Sequence, residues 1–284
     1  KNIPGARRIT EAPDRLMYGS TRLMFLVTKN PVEPSAGRAV DHLGFSVKDL
    51  DATLKAMEAA GVKITSPARD LPGIFKIAFI EDPWGTRIEL VQDAELLGLH
   101  HIHMRGPDVE ETFKWLLGNF GGERARMKDK LDGVRYSAPG FSTVWILVQK
   151  GDATPTQGKA IDHIGWRSET SLTDTINGLK TKGVTVTSEP RPLKLPAGPP
   201  INFAYVPGPN GARIESEVDD KGVLNGPGIT VRTKFLVVGD IPTPLKNQIT
   251  AEKADAATKM ADLRTDLVAQ ARRQGVRVVS LNDF

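Results

Sequence analysis

The chain contains no cysteine. That removes disulfides, thiolate metal ligands and cysteine nucleophiles, and it leaves the compartment open, cytoplasmic or periplasmic/exported. No apolar run approaches the roughly 18 to 20 residues of a membrane span, so none is expected. No signal peptide is visible at Lys1, which fits a mature or truncated form. An excess of charge of one sign is also lacking. The net charge is +4, and the basic residues are scattered, with short pairs only at Arg7-Arg8 and Arg272-Arg273. Without a basic stripe interleaved with aromatics, nucleic acid is not an expected partner.

What the chain does have is length and recurrence. Its 284 residues suffice for one large or two ordinary domains with real cores. The 27 glycines and 20 prolines fall at intervals, as turn punctuation does. Three segments repeat. Ala39-Val40-Asp41-His42-Leu43-Gly44-Phe45 matches Ala160-Ile161-Asp162-His163-Ile164-Gly165-Trp166, and Gly98-Leu99-His100-His101-Ile102-His103-Met104 lies between them. The aligned histidines His42, His101 and His163 are 59 and 62 residues apart, the length of a small supersecondary unit rather than of a solenoid repeat.

Each histidine segment alternates and is β-rich, so it reads as a strand. Helices are expected over 49–60, 108–120 and 171–182, each stopped by glycine at Gly61, Gly121-Gly122 and Gly183. Three strands follow each helix. After His42 they cover 63–65, 75–81 and 86–91; after His101, 124–127, 134–137 and 143–149; after His163, 185–187, 201–206 and 212–218. The order is therefore β-α-β-β-β. An earlier closing strand over 23–28 makes four modules, the first without its opening strand and helix. The closing strands align Arg87-Ile88-Glu89-Leu90-Val91-Gln92 over Val144-Trp145-Ile146-Leu147-Val148-Gln149, and both over Arg213-Ile214-Glu215-Ser216.

This pattern resembles the vicinal oxygen chelate superfamily, which includes glyoxalases, bleomycin-resistance proteins and extradiol dioxygenases. Its markers are Asp-His on the opening strand, Gly-Val after the helix at 61–62 and 183–184, and Asp82-Pro83-Trp84-Gly85 ahead of Ile88-Glu89. They extend over roughly residues 8 to 218. The resemblance implies an α+β fold in which tandem βαβββ modules pair into two eight-stranded cups. It divides the chain into a first domain at 1–95, lacking its opening strand and helix, and a second at 96–220. A C-terminal βαβ-like extension at 221–284 would follow, with a strand over 235–240, a helix over 251–274 and a strand over 276–280, weakly resembling the end of a BRCT-like domain.

The resemblance also implies a metal site. Ligands in that family come from opening and closing strands, which here points to His101, His163 and Glu215, with a weaker set, His42 and Glu89, in the first domain. Two imidazoles and a carboxylate with open positions suit Fe(II) first, or Mn(II) or Zn(II). Ile146 and Phe25 stand where fourth ligands would be, and neither ligates. Glu217 shares the face of Glu215, so a two-residue shift of register is open. His103, on the face of His101, and Tyr205 are the candidate catalytic groups, whereas His100 points to the opposite face. Tyr205 followed by Pro209-Asn210-Gly211 and Glu215 resembles the extradiol signature, although no histidine precedes Tyr205.

The expected activity is that of a metal-dependent enzyme acting on a small molecule through vicinal oxygens, first of all an extradiol-type ring-cleaving dioxygenase. A glyoxalase- or epimerase-like lyase or isomerase is the rival within the class. A metal-free small-molecule-binding protein of the bleomycin-resistance kind, with Trp145, Trp166 and Phe203 as stacking walls, is the rival outside it. A homodimer is compatible with either.

Overall fold

A computed structural model describes residues 3, 5–9, 12–137, 142–167, 171–193, 201–219, 235–238 and 277–280. The fold is α+β, and the β-α-β-β-β order is present three times. The second module runs β4 (Val40–Ser46), α1 (Leu50–Ala59), β5 (Lys63–Leu71), β6 (Phe75–Glu81) and β7 (Arg87–Gln92). The third runs β8 (Gly98–Gly106), α2 (Val109–Phe120), β9 (Glu123–Met127), β10 (Leu131–Tyr136) and β11 (Val144–Lys150). The fourth runs β12 (Ile164–Arg167), α3 (Leu172–Thr181), β13 (Ser188–Leu193), β14 (Ile201–Pro207) and β15 (Arg213–Asp219). Ahead of them lie β1 (Ala6–Ile9), β2 (Ala12–Tyr18) and β3 (Thr21–Met24); β16 (Phe235–Val238) and β17 (Arg277–Ser280) follow.

The three helices start where a short polar side chain can cap them. Asp49, Asp108 and Ser171 accept from the backbone N–H of Ala52, Glu111 and Asp174, each cap contributing about 1 kcal/mol. Each helix buries one stripe: Leu50, Leu54 and Met57 in α1, Phe113 and Leu116 in α2, and Leu172, Ile176 and Leu179 in α3. These stripes share one apolar core with Leu43, Phe45, Ile146 and Ile214 from the strands.

Every opening strand pairs in parallel with its own closing strand: β4 with β7, β8 with β11, and β12 with β15. The second and third modules are then joined by the antiparallel pair β4–β8. The result is a single eight-stranded sheet in the order β5-β6-β7-β4-β8-β11-β10-β9. It runs continuously across residues 95 and 96, where the sequence suggested a domain boundary. The other modules form a three-stranded sheet, β1-β2-β3, and a four-stranded one, β12-β15-β14-β13. Arg22 of β3 reaches Glu217 of β15 in an ion pair.

Three local expectations shift. The strand expected over 23–28 ends at Met24, and Phe25, Leu26 and Val27 are exposed, so Phe25 occupies no ligand position on a strand. In the fourth module the strand after α3 begins at Ser188, immediately after the stretch expected over 185–187. β16 and β17 pair in parallel, as a βαβ unit requires, while the expected helix over 251–274 lies outside the described residues.

Candidate metal centre

The β4–β8 seam builds the site. Leu43 pairs with Ile102, His42 with His103, and Gly44 with His101, so the seam has local two-fold character about the Leu43–Ile102 pair. Side chains alternate across a sheet. Leu43 and Phe45 therefore join the helical core, while His42, His101 and His103 share the inner face. Glu89 on β7 pairs with Gly44 and reaches the same point.

One carboxylate oxygen gathers two imidazoles. Glu89 Oε2 lies 2.9 Å from His42 Nε2 and 3.5 Å from His101 Nε2. Ligand atoms of His42, Glu89, His101 and His103 all lie within 4.8 Å of one another. His42, Glu89 and His101 are buried, with His42 2% and His101 1% exposed, and His103 is half-buried. His101 Nε2 and His103 Nδ1 have no hydrogen-bond partner among the described residues. Buried polar atoms are rarely left so. Two such atoms beside a carboxylate and a third imidazole fit a divalent cation of intermediate softness.

His101 sits where it does because residue 44 is glycine. A Cβ there would stand 2.1 Å from His101 Cε1, so the ring occupies the space over the strand that a side chain would fill. His42 is oriented from behind: Asp41 Oδ1 lies 2.6 Å from its Nδ1, and Arg87 Nη1 donates to the same oxygen at 2.9 Å. A carboxylate behind a ligating histidine fixes its tautomer and ring angle.

Charge follows geometry. Burial alone would lower the pKa of His42, but hydrogen bonds and charge from Asp41 and Glu89 outweigh it and raise it. Burial would raise Glu89, yet His101 and His42 hold its carboxyl well below the usual carboxylate range. His103 is pushed down to about 3, by burial first and then by the charges of His42 and His101, so it is a neutral imidazole. His100 is lowered to about 4, by burial first and then by His101.

The sequence expectation grouped His101 with His163 and Glu215. The structure does not bring these three together. His101 joins His42 and Glu89, the pair expected to be the weaker, because β8 pairs with β4 and not with β12. His163 and Glu215 form their own pair, Nε2 to Oε2 3.0 Å. Tyr205 belongs with that pair: its ring is 5.2 Å from that of His163, with Arg213 3.5 Å above it. Its hydroxyl is pushed up to about 12, by burial first and then by the charge of Glu215. Tyr205 and His103, the two candidate catalytic groups, are therefore on different modules and in different clusters. Tyr205 is the counterpart of Phe79, which lies 5.3 Å from His42 under Arg87. Glu217, the alternative ligand, instead meets Arg22 and Arg167.

The fourth-ligand position also moves. Glu89 pairs with the residue two beyond His42; the residue two beyond His101 is His103, and its partner is Leu147. Ile146 pairs with Ile102 and joins the helical core. Leu147, like Ile146, offers no ligand. It lines an apolar wall with Phe75, Phe79, Val91, Met127 and Trp145.

A sequence signal for these pairings existed. Pro34-Ser35-Ala36-Gly37-Arg38-Ala39-Val40-Asp41-His42 repeats as Pro155-Thr156-Gln157-Gly158-Lys159-Ala160-Ile161-Asp162-His163. Both stretches fold alike. The Ser35 and Thr156 hydroxyls donate to the Asp41 and Asp162 carbonyls, the Gly37 and Gly158 N–H groups donate to the aspartate side chains, and Arg87 and Arg213 donate to them too. The second and fourth modules are thus one type, and the third, which lacks the motif, is another.

Residues 10–90 match the model of the Glyoxalase/Bleomycin resistance protein/Dioxygenase superfamily. A curated Vibrio parahaemolyticus protein named "Probable lactoylglutathione lyase" is 39% identical over 64 residues, 22% of this chain and 46% of that protein. The chain thus spans about half the length of that relative. Among solved structures, glyoxalase I from Zea mays is similar at 20% identity, covering 67% of this chain and 70% of its own, with a TM-score of 0.53. A Bacillus subtilis protein titled "putative dioxygenase" covers 77% of each chain at 18% identity and a TM-score of 0.51. At such identities the likeness is one of fold.

Proposed function

We propose that the chain, whose residues 10–90 match the model of the Glyoxalase/Bleomycin resistance protein/Dioxygenase superfamily, is a divalent-metal-dependent enzyme of that superfamily, with His42, Glu89 and His101 as its metal ligands. The observation that carries this reading is the convergence of those three side chains and His103 from three strands of one sheet, with two buried nitrogens lacking hydrogen-bond partners among the described residues. A bound cation would supply Lewis acidity and, as Fe(II), the capacity to activate oxygen.

The protein's own residues prepare the rest. Asp41 holds His42 in one orientation, and Gly44 gives His101 its space. Phe75, Phe79, Trp145 and Leu147 exclude water and suit an apolar or aromatic body on the substrate. Neutral His103 accepts a proton from a substrate hydroxyl at Nδ1. Two imidazoles and one carboxylate, with no second carboxylate at Leu147, make a donor set of the facial-triad type. That favours extradiol-type ring cleavage of a substrate with two vicinal oxygens. The glyoxalase-like reading is favoured by a different observation, the 64-residue similarity to the lyase.

Elemental analysis of freshly purified protein, prepared without chelators, tests the proposal. One divalent cation per chain is expected, lost in His42→Ala and His101→Ala and retained in His163→Ala. Metal-free wild-type protein would overturn the enzyme reading and leave a small-molecule-binding protein. Oxygen uptake with catechols, set against isomerisation of glutathione hemithioacetals, then separates the two reactions.

A further inference from the structure

His100 stands one residue before His101 and is fully buried, yet the proposed centre has no use for it as a ligand. Its ring turns back along β8, so that His100 Nδ1 lies 2.8 Å from His101 Nδ1. Its other nitrogen, Nε2, lies 3.3 Å from Asp93 Oδ2. The second oxygen of Asp93 accepts from Lys128 Nζ at 3.0 Å and from the Glu95 N–H at 3.1 Å. Asp93 is itself held by Ser46, whose hydroxyl donates to the Asp93 carbonyl at 2.6 Å and accepts from the Asp93 N–H at 2.9 Å. Lys128 is delivered by a turn in which Lys128 and Asp129 both adopt the left-handed conformation, at φ 49° and 56°. Two successive residues at positive φ are the geometry of a tight hairpin turn, here joining β9 to β10.

With both imidazoles neutral, one assignment of protons satisfies the Asp93–His100 and His100–His101 contacts. An ionised carboxylate only accepts, so the nitrogen facing Asp93 carries hydrogen. Neutral imidazole carries one proton, so His100 Nδ1 is then bare and accepts from His101 Nδ1–H. The His101 proton being on Nδ1, His101 Nε2 is left with its lone pair, toward Glu89 and His42. We infer that Asp93 and His100 are positioning residues that set the tautomer of His101, through the relay Lys128–Asp93–His100–His101. This inference rests on the proposed metal centre for its purpose, but the tautomers exist with or without a metal. Asp93 belongs to the end of the second module and Lys128 to the third, so the relay also ties the two modules behind the site.

Asp93→Asn is the discriminating variant. The asparagine Oδ1 keeps its bonds from Lys128 and Glu95, which turns Nδ2–H toward His100 and demands the opposite tautomer of both rings. Nitrogen-15 NMR of metal-free protein, its five histidines assigned by single substitutions, reads the result directly. Wild type is expected to show His100 protonated on Nε2 and His101 on Nδ1, and Asp93→Asn to reverse both. Zinc affinity, measured by competition with a chromophoric chelator, is expected to fall about 10- to 100-fold in Asp93→Asn at unchanged melting temperature. His100→Asn, whose Oδ1 can accept the same proton, is expected to keep most of the affinity, whereas His100→Leu loses it. Finding His101 protonated on Nε2 in the wild type, or finding both tautomers and zinc affinity unchanged in Asp93→Asn, would overturn the relay. Expected tautomers in a wild type that binds no zinc would uphold the relay and sink the metal centre.

Discussion

Gly44 shows how much of the site depends on an absent side chain. His101 lies across it, and the methyl group of Gly44→Ala would meet the ring at 2.1 Å. The equivalent Gly165 has Glu215 Cβ, at 3.3 Å, as its nearest neighbour. Gly44→Ala is therefore expected to cost at least about tenfold in zinc affinity, as loss of ligand orientation does, while Gly165→Ala leaves affinity unchanged. Isothermal titration of the two variants checks this, and equal affinities would contradict the assigned place of His101. At this scale the sequence was partly legible. The recurring phase of His42, His101 and His163 puts a histidine on β4, on β8 and just before β12. It could not reveal that His101 faces Gly44, because a strand's alternation says which face a residue is on and not which strand lies beside it. His100 looked idle for a similar reason: it is on the other face at Cα, yet its ring bends back to its neighbour.

Among the elements, the helices were read almost to the residue, since Asp49, Asp108 and Ser171 cap them and glycine ends them. The closing strands were harder. Val144-Trp145-Ile146-Leu147-Val148 is apolar throughout, so nothing polar marks its inner face, and a slip of one residue exchanges the faces. In sequence Ile146 matches Glu89; by strand pairing Leu147 does. The difference is measurable. Ile146→Glu would bury a carboxylate in the helical core, at a cost of several kcal/mol, and is expected to unfold the protein. Leu147→Glu faces His103 in the cup, so it is expected to destabilise the metal-free protein and to be rescued by added zinc or nickel. Thermal melts with and without metal separate the two outcomes. Rescue of Ile146→Glu instead would restore the sequence alignment.

Across the whole molecule, the two ends of the eight-stranded sheet meet. Lys130 Nζ, in the β9–β10 turn, donates to the Pro72 carbonyl in the β5–β6 turn at 3.0 Å, closing the cup over its apolar wall. That closure depends on strand order, the property least visible in sequence, which is why the modules were legible and their pairing was not. Stability against pH is also a property of the whole chain, and its sign follows from the Asp-His pairs. Burial would lower His163, but Asp162 and Glu215 raise it to about 9. Its contribution is thus complete below the ordinary value near 6.5 and is lost as pH rises through about 9, amounting to at most about 3 kcal/mol. Burial would raise Asp41 and Asp162, but His42 and His163 lower each to about 2. Their contribution is complete above the ordinary value of about 3.8 and disappears as pH falls through about 2. Urea unfolding of metal-free protein is expected to give its highest midpoints between these limits, and His163→Gln to flatten the alkaline decline; an unchanged alkaline slope would show that His163 is not the group responsible.

The twinned Asp-His-Glu-Arg arrangement has an experimental consequence. His42 and His163 have matching aspartate, glutamate and arginine partners, but the glycine two residues beyond His42 has another imidazole resting on it and Gly165 has Glu215. Any spectrum that resolves both therefore contains a sample and its blank in the same tube, at the same concentration, pH and temperature. A change seen at His42 and not at His163 belongs to the seam between β4 and β8; a change seen at both belongs to the solvent.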